Sequence, residues 1–424
     1  MPKVPTIDAS LALWLDYLML IHPTEIDMGL DRVSIVADRL GLRALGKTKV
    51  VTVAGTNGKG TTCAMLEHIL LLAGHRVGVY SSPHILKYNE RIRINGVDAL
   101  DTQVVEAFVV INRAREDISL SFFEFATLAG LYLFKSSQLD VILLEVGLGG
   151  RLDATNIIDS DIAVVTSIDL DHQEYLGDTR ESVAVEKAGI FRASRPAIVG
   201  EPDIPTGLLD VAKLKGAELY CVGKDFNYHV VQNNPLYWDF NGSTRVISRL
   251  PVPQLPLPNA ATALAVIELG WPEISTDIIK KAIGNARLEG RFELVCEQPL
   301  IILDVAHNPH AARYLATRLN TFKFKRLYAL CGMLKDKDCT EVINILAEQI
   351  DHWSFTALDT ERSATPQQLQ TALRVSGSSS QYASLGAAWS ELSSKLTPED
   401  AVIVFGSFYT VAEFKALPLN FNSF

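Results

Sequence analysis

Cysteine is scarce and unpatterned. Five cysteines (Cys63, Cys221, Cys296, Cys331 and Cys339) occur in 424 residues, with no Cys-x-x-Cys spacing. That excludes a disulfide framework and a thiolate zinc site, and predicts reduced thiols. Long apolar runs are also missing. The longest candidate, LALWLDYLMLI at 11–21, contains Asp16 and is too short to span a bilayer, so no membrane partner is expected. The opening MPKVPTIDAS lacks the basic and apolar regions of a secretory leader, so a cytoplasmic location is expected. Positive charge is not in excess: 39 Lys and Arg stand against 49 Asp and Glu, which argues against a nucleic-acid partner. Low-complexity segments and short internal repeats are absent. No Ser–His–Asp or Cys–His arrangement stands out.

What is present is apolar patterning. Hydrophobic residues make up 48% of the chain, and its length predicts two domains. Short Val/Ile/Leu runs (VVTVA at 50–54, RVGVY at 76–80, DVILLEVG at 140–147, DIAVVTSI at 161–168) alternate with helical stretches such as 101–116 and 122–137. Near-continuous apolar strands between helices predict an α/β fold: a doubly wound, mostly parallel sheet. Residues 201–258 alternate and read as a small antiparallel elaboration, broken by PVPQLPLP. Asn259 then reads as the N-cap of a helix, NAATALAVIELG. A second βα series, from LIILDVA at 300–306 to AVIVFGS at 401–407, predicts a smaller Rossmann-like α/β domain. The expected boundaries are 1–285 and 286–424, with NARLEGRFE (285–293) as the hinge.

The stretch VVTVAGTNGKGTT (50–62) joins a strand to a helix through a glycine-rich turn with a lysine. Backbone amides of Asn57, Gly58, Lys59 and Gly60 can converge on phosphate oxygens, aided by the helix N-terminus and the lysine charge. An ordinary strand–helix turn is the plainer alternative. The strict P-loop pattern fails, because Gly60 stands where a magnesium-holding Ser or Thr belongs. EVGLGGRLD (145–153) approaches a dinucleotide fingerprint but has Leu152 at the third glycine, which argues against a nicotinamide cofactor.

Metal ligands must therefore come from elsewhere. Glu145 ends an apolar strand, where a carboxylate is costly unless paired or metal-bound. Its alternative is a salt bridge with Arg151. Ser82 follows the strand at 76–80, and DLDHQEYLG (169–177) brings Asp169, Asp171 and His172 to a third strand end. Strand ends are where open α/β sheets collect ligands.

GTNGKGT, SSPH, EVGLGGRLDATN, DHQEYLG, EKAGI, PNAATALA, GRFE and DVAHNP occur in this order. Together they resemble the Mur ligase superfamily, and most closely its folylpolyglutamate synthase/dihydrofolate synthase branch, from HPTEIDMGL (22–30) to GSFYTV (406–411). The resemblance implies an ATP-dependent ligase that adds L-glutamate to dihydropteroate and to tetrahydrofolate through an acyl phosphate. Alternatives are a monofunctional member or another Mur-type amide ligase. A peptidoglycan-type ligase would need a UDP-binding domain, for which the stretch ahead of Val50 is expected to be too short. A switch GTPase would need an NKxD motif, and none occurs.

By the same resemblance, Thr56, Asn57, Gly58, Lys59, Gly60, Thr61, Asn259, Arg291, Asp304 and His307 surround ATP. ATP is then expected between the domains, with closure completing the site. Two Mg²⁺ ions are implied, one held by Ser82 and Glu145, the other by His172 and a carbamylated Lys187. Lys59, His172 and Lys187 form the catalytic set. His22, Pro23, Thr24, Ser121, Phe122, Phe123, Glu124, Leu152, Asp153 and Ala154 are expected to bind the pterin substrate. Aromatic residues at a helix start, as in SFFE, are also ordinary core. A monomer is expected.

Overall fold

The computed structural model describes residues 3–24, 27–232, 234, 236–374 and 378–419. Glu25 and Ile26 of HPTEIDMGL, Asn233 and Pro235 of the alternating segment, and the final FNSF lie outside the described residues. The chain forms two compact units: residues 1–84 with 88–286, and residues 85–87 with 287–424.

The first unit holds eight strands in one sheet: β1 (Lys49–Ala54), β2 (Val77–Tyr80), β3 (Ile92–Ile94), β4 (Val97–Asp98), β5 (Val141–Glu145), β6 (Ile162–Val165), β7 (Pro196–Val199) and β8 (Glu218–Cys221). Their order is β4-β3-β2-β5-β1-β6-β7-β8. Six of them run parallel, while β3 and β4 form an antiparallel edge. The central strands are buried along almost their whole length, because helices cover both faces and each apolar run meets protein on either side. The helices are α1 (Leu11–Leu20), α2 (Asp31–Arg39), α3 (Lys59–Leu72), α4 (Asp101–Arg115), α5 (Phe122–Ser136), α6 (Gln173–Leu176), α7 (Arg180–Ala188), α8 (Thr206–Lys215), α9 (Leu257–Gly270) and α10 (Thr276–Asn285). One face packs around Trp14, Phe108, Phe125 and Phe134, the other around Phe191, Val183 and Leu208. Strand β1 pairs β5 on one side and β6 on the other, so the sheet is wound in both directions from β1. A ligand crevice opens at such a switch point.

The antiparallel elaboration is smaller than 201–258. It is β9 (Asn227–Val230), β10 (Tyr237–Asn241) and β11 (Val246–Pro251), while α8 and β8 extend the parallel sheet. The amphipathic GLLDVAKLK is a helix ended by Gly216 in the left-handed region, which returns the chain to the sheet.

The second unit holds β12 (Glu293–Glu297), β13 (Leu300–Asp304), β14 (Leu327–Cys331), β15 (His352–Thr356), β16 (Ser378–Tyr382) and β17 (Ala401–Phe405), ordered β12-β13-β17-β14-β15-β16. Only β12 is antiparallel. Helices α11 (Pro309–Leu319), α12 (Cys339–Leu346), α13 (Pro366–Ala372), α14 (Leu385–Ser393) and α15 (Phe408–Ala416) complete a smaller Rossmann-like α/β unit.

Candidate functional site

Four neighbouring strands, β2-β5-β1-β6, deliver their C-terminal ends side by side. These ends carry Ser82, Glu145, the loop Gly55–Gly60 and the segment from Thr166 to His172.

The loop after β1 is fastened to the end of β6. Thr56 N donates to Ser167 O at 2.9 Å, Asn57 N to Ser167 Oγ at 3.0 Å, and Thr166 Oγ1 to Asn57 O at 2.6 Å. Thr56 Oγ1 donates to Asp169 O at 2.9 Å. Gly55 has φ 152°, and a Cβ there would sit 1.9 Å from Thr166 Oγ1, so only glycine fits. Gly58, at φ 87°, caps α3, whose first residues are Lys59 and Gly60. The Lys59 ammonium folds over the loop, donating to Gly55 O at 2.9 Å and Thr56 O at 3.3 Å.

Asn259 is not a helix cap. Helix α9 begins two residues earlier at Leu257, with Pro258 in its first turn, where the missing N–H costs nothing. Asn259 therefore lies within the helix, and its side chain donates to Thr61 Oγ1 at 2.6 Å. Thr61 Oγ1 in turn donates to Gly58 O at 2.9 Å, so this hydroxyl braces the loop.

Glu145 is buried at the end of β5, and Ser82 N donates to its Oε2 at 3.4 Å. Arg151, the alternative partner, instead pairs with Glu186 at 2.8 Å. Lys187 on α7 is buried. Burial first, and the Lys59 charge second, lower its amine to about 7, against smaller opposing effects of Asp171 and Asp153. His172 sits in the left-handed region at φ 50°, with Asp171 3.9 Å away.

These residues fit the implied groups. Among the described residues no three His, Cys, Asp or Glu side chains converge on one point. A lone carboxylate beside a serine is nevertheless the sparse oxygen set that magnesium takes when phosphates complete its shell. An amine lowered to about 7 presents its neutral form from about that pH upward, the neutral amine is the form that reacts with CO₂, and the resulting carbamate is an anionic oxygen ligand.

The expected pterin residues divide. Ser121 caps α5, accepting from Glu124 N at 3.3 Å while Ser121 N donates to Glu124 Oε2 at 2.7 Å. Glu124 is buried and pairs with Arg32, which also pairs with Asp27. Asp27 lies 3.3 Å from His22, whose Nδ1 meets Ser119 Oγ at 2.8 Å. His22 and Glu124 are thus linked through Asp27 and Arg32, whereas Pro23 and Thr24 are exposed. Phe123 lies over Gly147, and Phe122 faces Tyr88. Asp153 is buried, which raises its carboxyl, and it accepts from Gly147 N, Leu148 N, Thr155 N and Thr155 Oγ1 at 2.6–3.0 Å. Its side chain therefore shapes the loop that holds Leu152 and Ala154.

In the second unit, the Arg291 guanidinium lies 5.1 Å from the Phe408 ring centroid and the His307 ring 6.3 Å from it. Asp304 accepts from Phe292 N and Ala306 N, both at 2.8 Å. Burial raises the Asp304 carboxyl and the Arg291 charge opposes that. His307 Nδ1 donates to Val305 O at 2.8 Å, which fixes the orientation of the ring. Asn308 caps α11. Sequence reasoning missed Phe408, because an aromatic at a helix start carries no functional signal by itself.

It also missed two arginines near β3. Arg93 pairs with the buried Glu67 of α3 at 2.9 Å. Arg91 donates through Nε to His84 Nδ1 at 2.8 Å, and burial followed by the Arg91 charge holds His84 down at about 4. Both lie in a segment, NERIRI, whose strand is too short to register as a period.

Comparison with known proteins places this geometry in a family. The Mur ligase middle domain model matches residues 53–234, and the Mur ligase, glutamate ligase domain model matches residues 290–408. The dihydrofolate synthase/folylpolyglutamate synthase of Escherichia coli is 49% identical over 97% of this chain and 96% of its own. An E. coli FolC structure in complex with DHPP and ADP matches with a TM-score of 0.93 and 48% identity, covering 97% of this chain and 98% of its own. A Yersinia pestis bifunctional folylpolyglutamate synthase/dihydrofolate synthase complexed with AMPPNP and Mn ion matches with a TM-score of 0.92 and 49% identity, over 98% and 99% respectively. The chain belongs to the dihydrofolate synthase/folylpolyglutamate synthase family of Mur ligases.

Proposed function

We propose that this chain is an ATP-dependent ligase that joins L-glutamate to dihydropteroate, giving dihydrofolate, and to tetrahydrofolate, giving folylpolyglutamates. The observation that carries the reading is the set of four adjacent strand ends, which juxtaposes a phosphate loop and a buried carboxylate beside a serine, with the buried Lys187 of α7 near enough to feel the Lys59 charge. The relatives support it: one holds DHPP and ADP, another AMPPNP and Mn.

In this reading the loop amides and Lys59 bind and orient the phosphates of ATP. The γ-phosphoryl group passes to the substrate carboxylate, giving an acyl phosphate and ADP. The glutamate amine attacks the acyl carbon, the new amide forms, and inorganic phosphate leaves. Positioning and charge neutralisation dominate such chemistry. Magnesium, when bound, neutralises phosphate charge. Ser82 and Glu145 would hold one ion, and His172 with a carbamylated Lys187 a second. Arg291, Asp304 and His307 are proposed nucleotide residues. His22, Pro23, Thr24, Ser121, Phe122, Phe123, Glu124, Leu152, Asp153 and Ala154 are proposed to form or shape the pterin site, with Ser121, Glu124 and Asp153 acting through the backbone they hold.

Among the described residues no helix is long and apolar enough to cross a membrane. The five free cysteines suit a reducing compartment, and a cytoplasmic monomer acting on small molecules is the proposed working state.

The test is turnover by the purified protein with ATP, Mg²⁺ and glutamate, using dihydropteroate and tetrahydrofolate in turn. Amide product and ADP should appear in equal amounts with each. No product from either would remove the assignment.

A further inference from the structure

Arg91 is a buried cation to which no described residue supplies an anion. It ends the 3₁₀ turn Tyr88–Arg91 and leads into β3, with 9% of its surface exposed. Its backbone carbonyl accepts from Ser81 N at 2.9 Å, which ties it to the end of β2 next to Ser82. The guanidinium lies 5.4 Å from the Phe122 ring centroid and 5.8 Å from that of Tyr88. Its Nε donates to a neutral acceptor, His84 Nδ1, at 2.8 Å. The Tyr80 phenol is its other polar neighbour.

Among the described residues no carboxylate pairs with Arg91. The contrast with Arg93, two residues on, is direct: that guanidinium is neutralised by Glu67. The Asp153 carboxylate, which like Arg91 acts on the Tyr80 phenol, is engaged by four donors of its own loop. A buried guanidinium without a counter-ion is strongly unfavourable unless a ligand supplies the charge. Its planar fork matches a carboxylate, with two parallel N–H···O bonds. The aromatic ring against it, Phe122, belongs to the segment proposed above for the pterin substrate.

From this we infer that Arg91 is a substrate-binding residue that receives a substrate carboxylate. This deepens the proposed ligase reading and rests on it. Two sources have the required chemistry: the carboxylate of dihydropteroate that becomes the acyl phosphate, and a carboxylate of the incoming glutamate. Held by Arg91, the first would keep its charge while the phosphoryl group approaches.

The test compares wild type, Arg91→Gln and Arg91→Lys for dihydropteroate affinity, the KM for glutamate and ADP affinity. Loss of a charge-assisted fork predicts a fall of about 10- to 100-fold in dihydropteroate affinity for Arg91→Gln, with ADP affinity unchanged. Arg91→Lys, which keeps the charge without the fork, should fall between. A rise confined to the KM for glutamate assigns the carboxylate to that substrate instead. If neither value moves, or ADP affinity falls by the same factor, the inference is overturned. Wild type alone gives a check independent of folding. The neutral carboxamide of dihydropteroate should bind about tenfold or more weakly than dihydropteroate itself, unless the KM for glutamate has already shown Arg91 to hold that substrate. Equal binding of the two pterins, with the KM for glutamate unchanged in the variants, overturns the inference. A wild type that binds neither pterin fails the ligase reading, which is a separate outcome.

Discussion

Asn259 reaches from α9 to the phosphate loop and donates to Thr61 Oγ1 at 2.6 Å, lying so close to Gly58 that a Cβ there would be 2.6 Å from Asn259 Oδ1. The helix that carries Asn259 therefore sets the shape of a loop almost 200 positions earlier. Gly58→Ala should lose ADP affinity by tenfold or more, because alanine at φ 87° costs about 1–2 kcal/mol and also meets Asn259. Calorimetric titration with ADP measures it. The double variant Gly58→Ala/Asn259→Ala should lose less than the sum of the singles, since the clash disappears while the backbone strain stays. Strict additivity would mean that the two residues do not share one structural role.

The half-buried Arg93 and the buried Glu67 form an ion pair between β3 and α3, and Arg93 also donates to Ser81 Oγ at 3.2 Å. Arg93→Ala strands the Glu67 carboxylate and should cost about 3–5 kcal/mol in chemical denaturation. Replacing both, as Glu67→Gln/Arg93→Leu, should recover part of the loss. A double variant less stable than Arg93→Ala would contradict that account.

Lys187 gives a pH dependence with a definite sign. Its folded-state value of about 7 lies below the ordinary 10.5. Between these values the unfolded chain holds the proton and the native chain releases it, so the unmodified protein gains stability as pH rises through this window. The CO₂-reactive neutral amine predominates above about 7. With ¹³C-bicarbonate, a carbamate signal should grow from pH 6 to pH 8 and be missing in Lys187→Ala. A signal independent of pH, or one retained in the variant, would remove Lys187 from the proposed metal site.

Much of this was legible in the sequence, for reasons that differ by residue. The run VVTVAGTNGKG gave itself away because a β-branched strand, paired glycines and a lysine occur together only where the backbone turns sharply. Glu145 stood out as a charge in an apolar strand. Asn259 misled, since the Pro-rich stretch before it looked like a helix breaker, yet proline is tolerated in a helix's first turn. The Arg32 and Arg93 ion pairs and the Phe408 cluster were invisible. Each joins segments far apart in the chain, and no local period records which distant carboxylate or ring a side chain will meet.

Glu145→Gln keeps the shape of the β5 end but removes its charge. The magnesium concentration for half-maximal activity should rise about tenfold or more, while ADP binding without magnesium stays unchanged. An identical magnesium titration would exclude Glu145 as a ligand.

The most direct test of the ligase account follows one oxygen atom. Dihydropteroate labelled with ¹⁸O in its carboxylate is turned over with ATP and glutamate, and the released phosphate is analysed by mass spectrometry. Activation through an acyl phosphate predicts one ¹⁸O in each phosphate, and no phosphate above background from Lys59→Ala. Phosphate that forms with the amide but carries no label would contradict it.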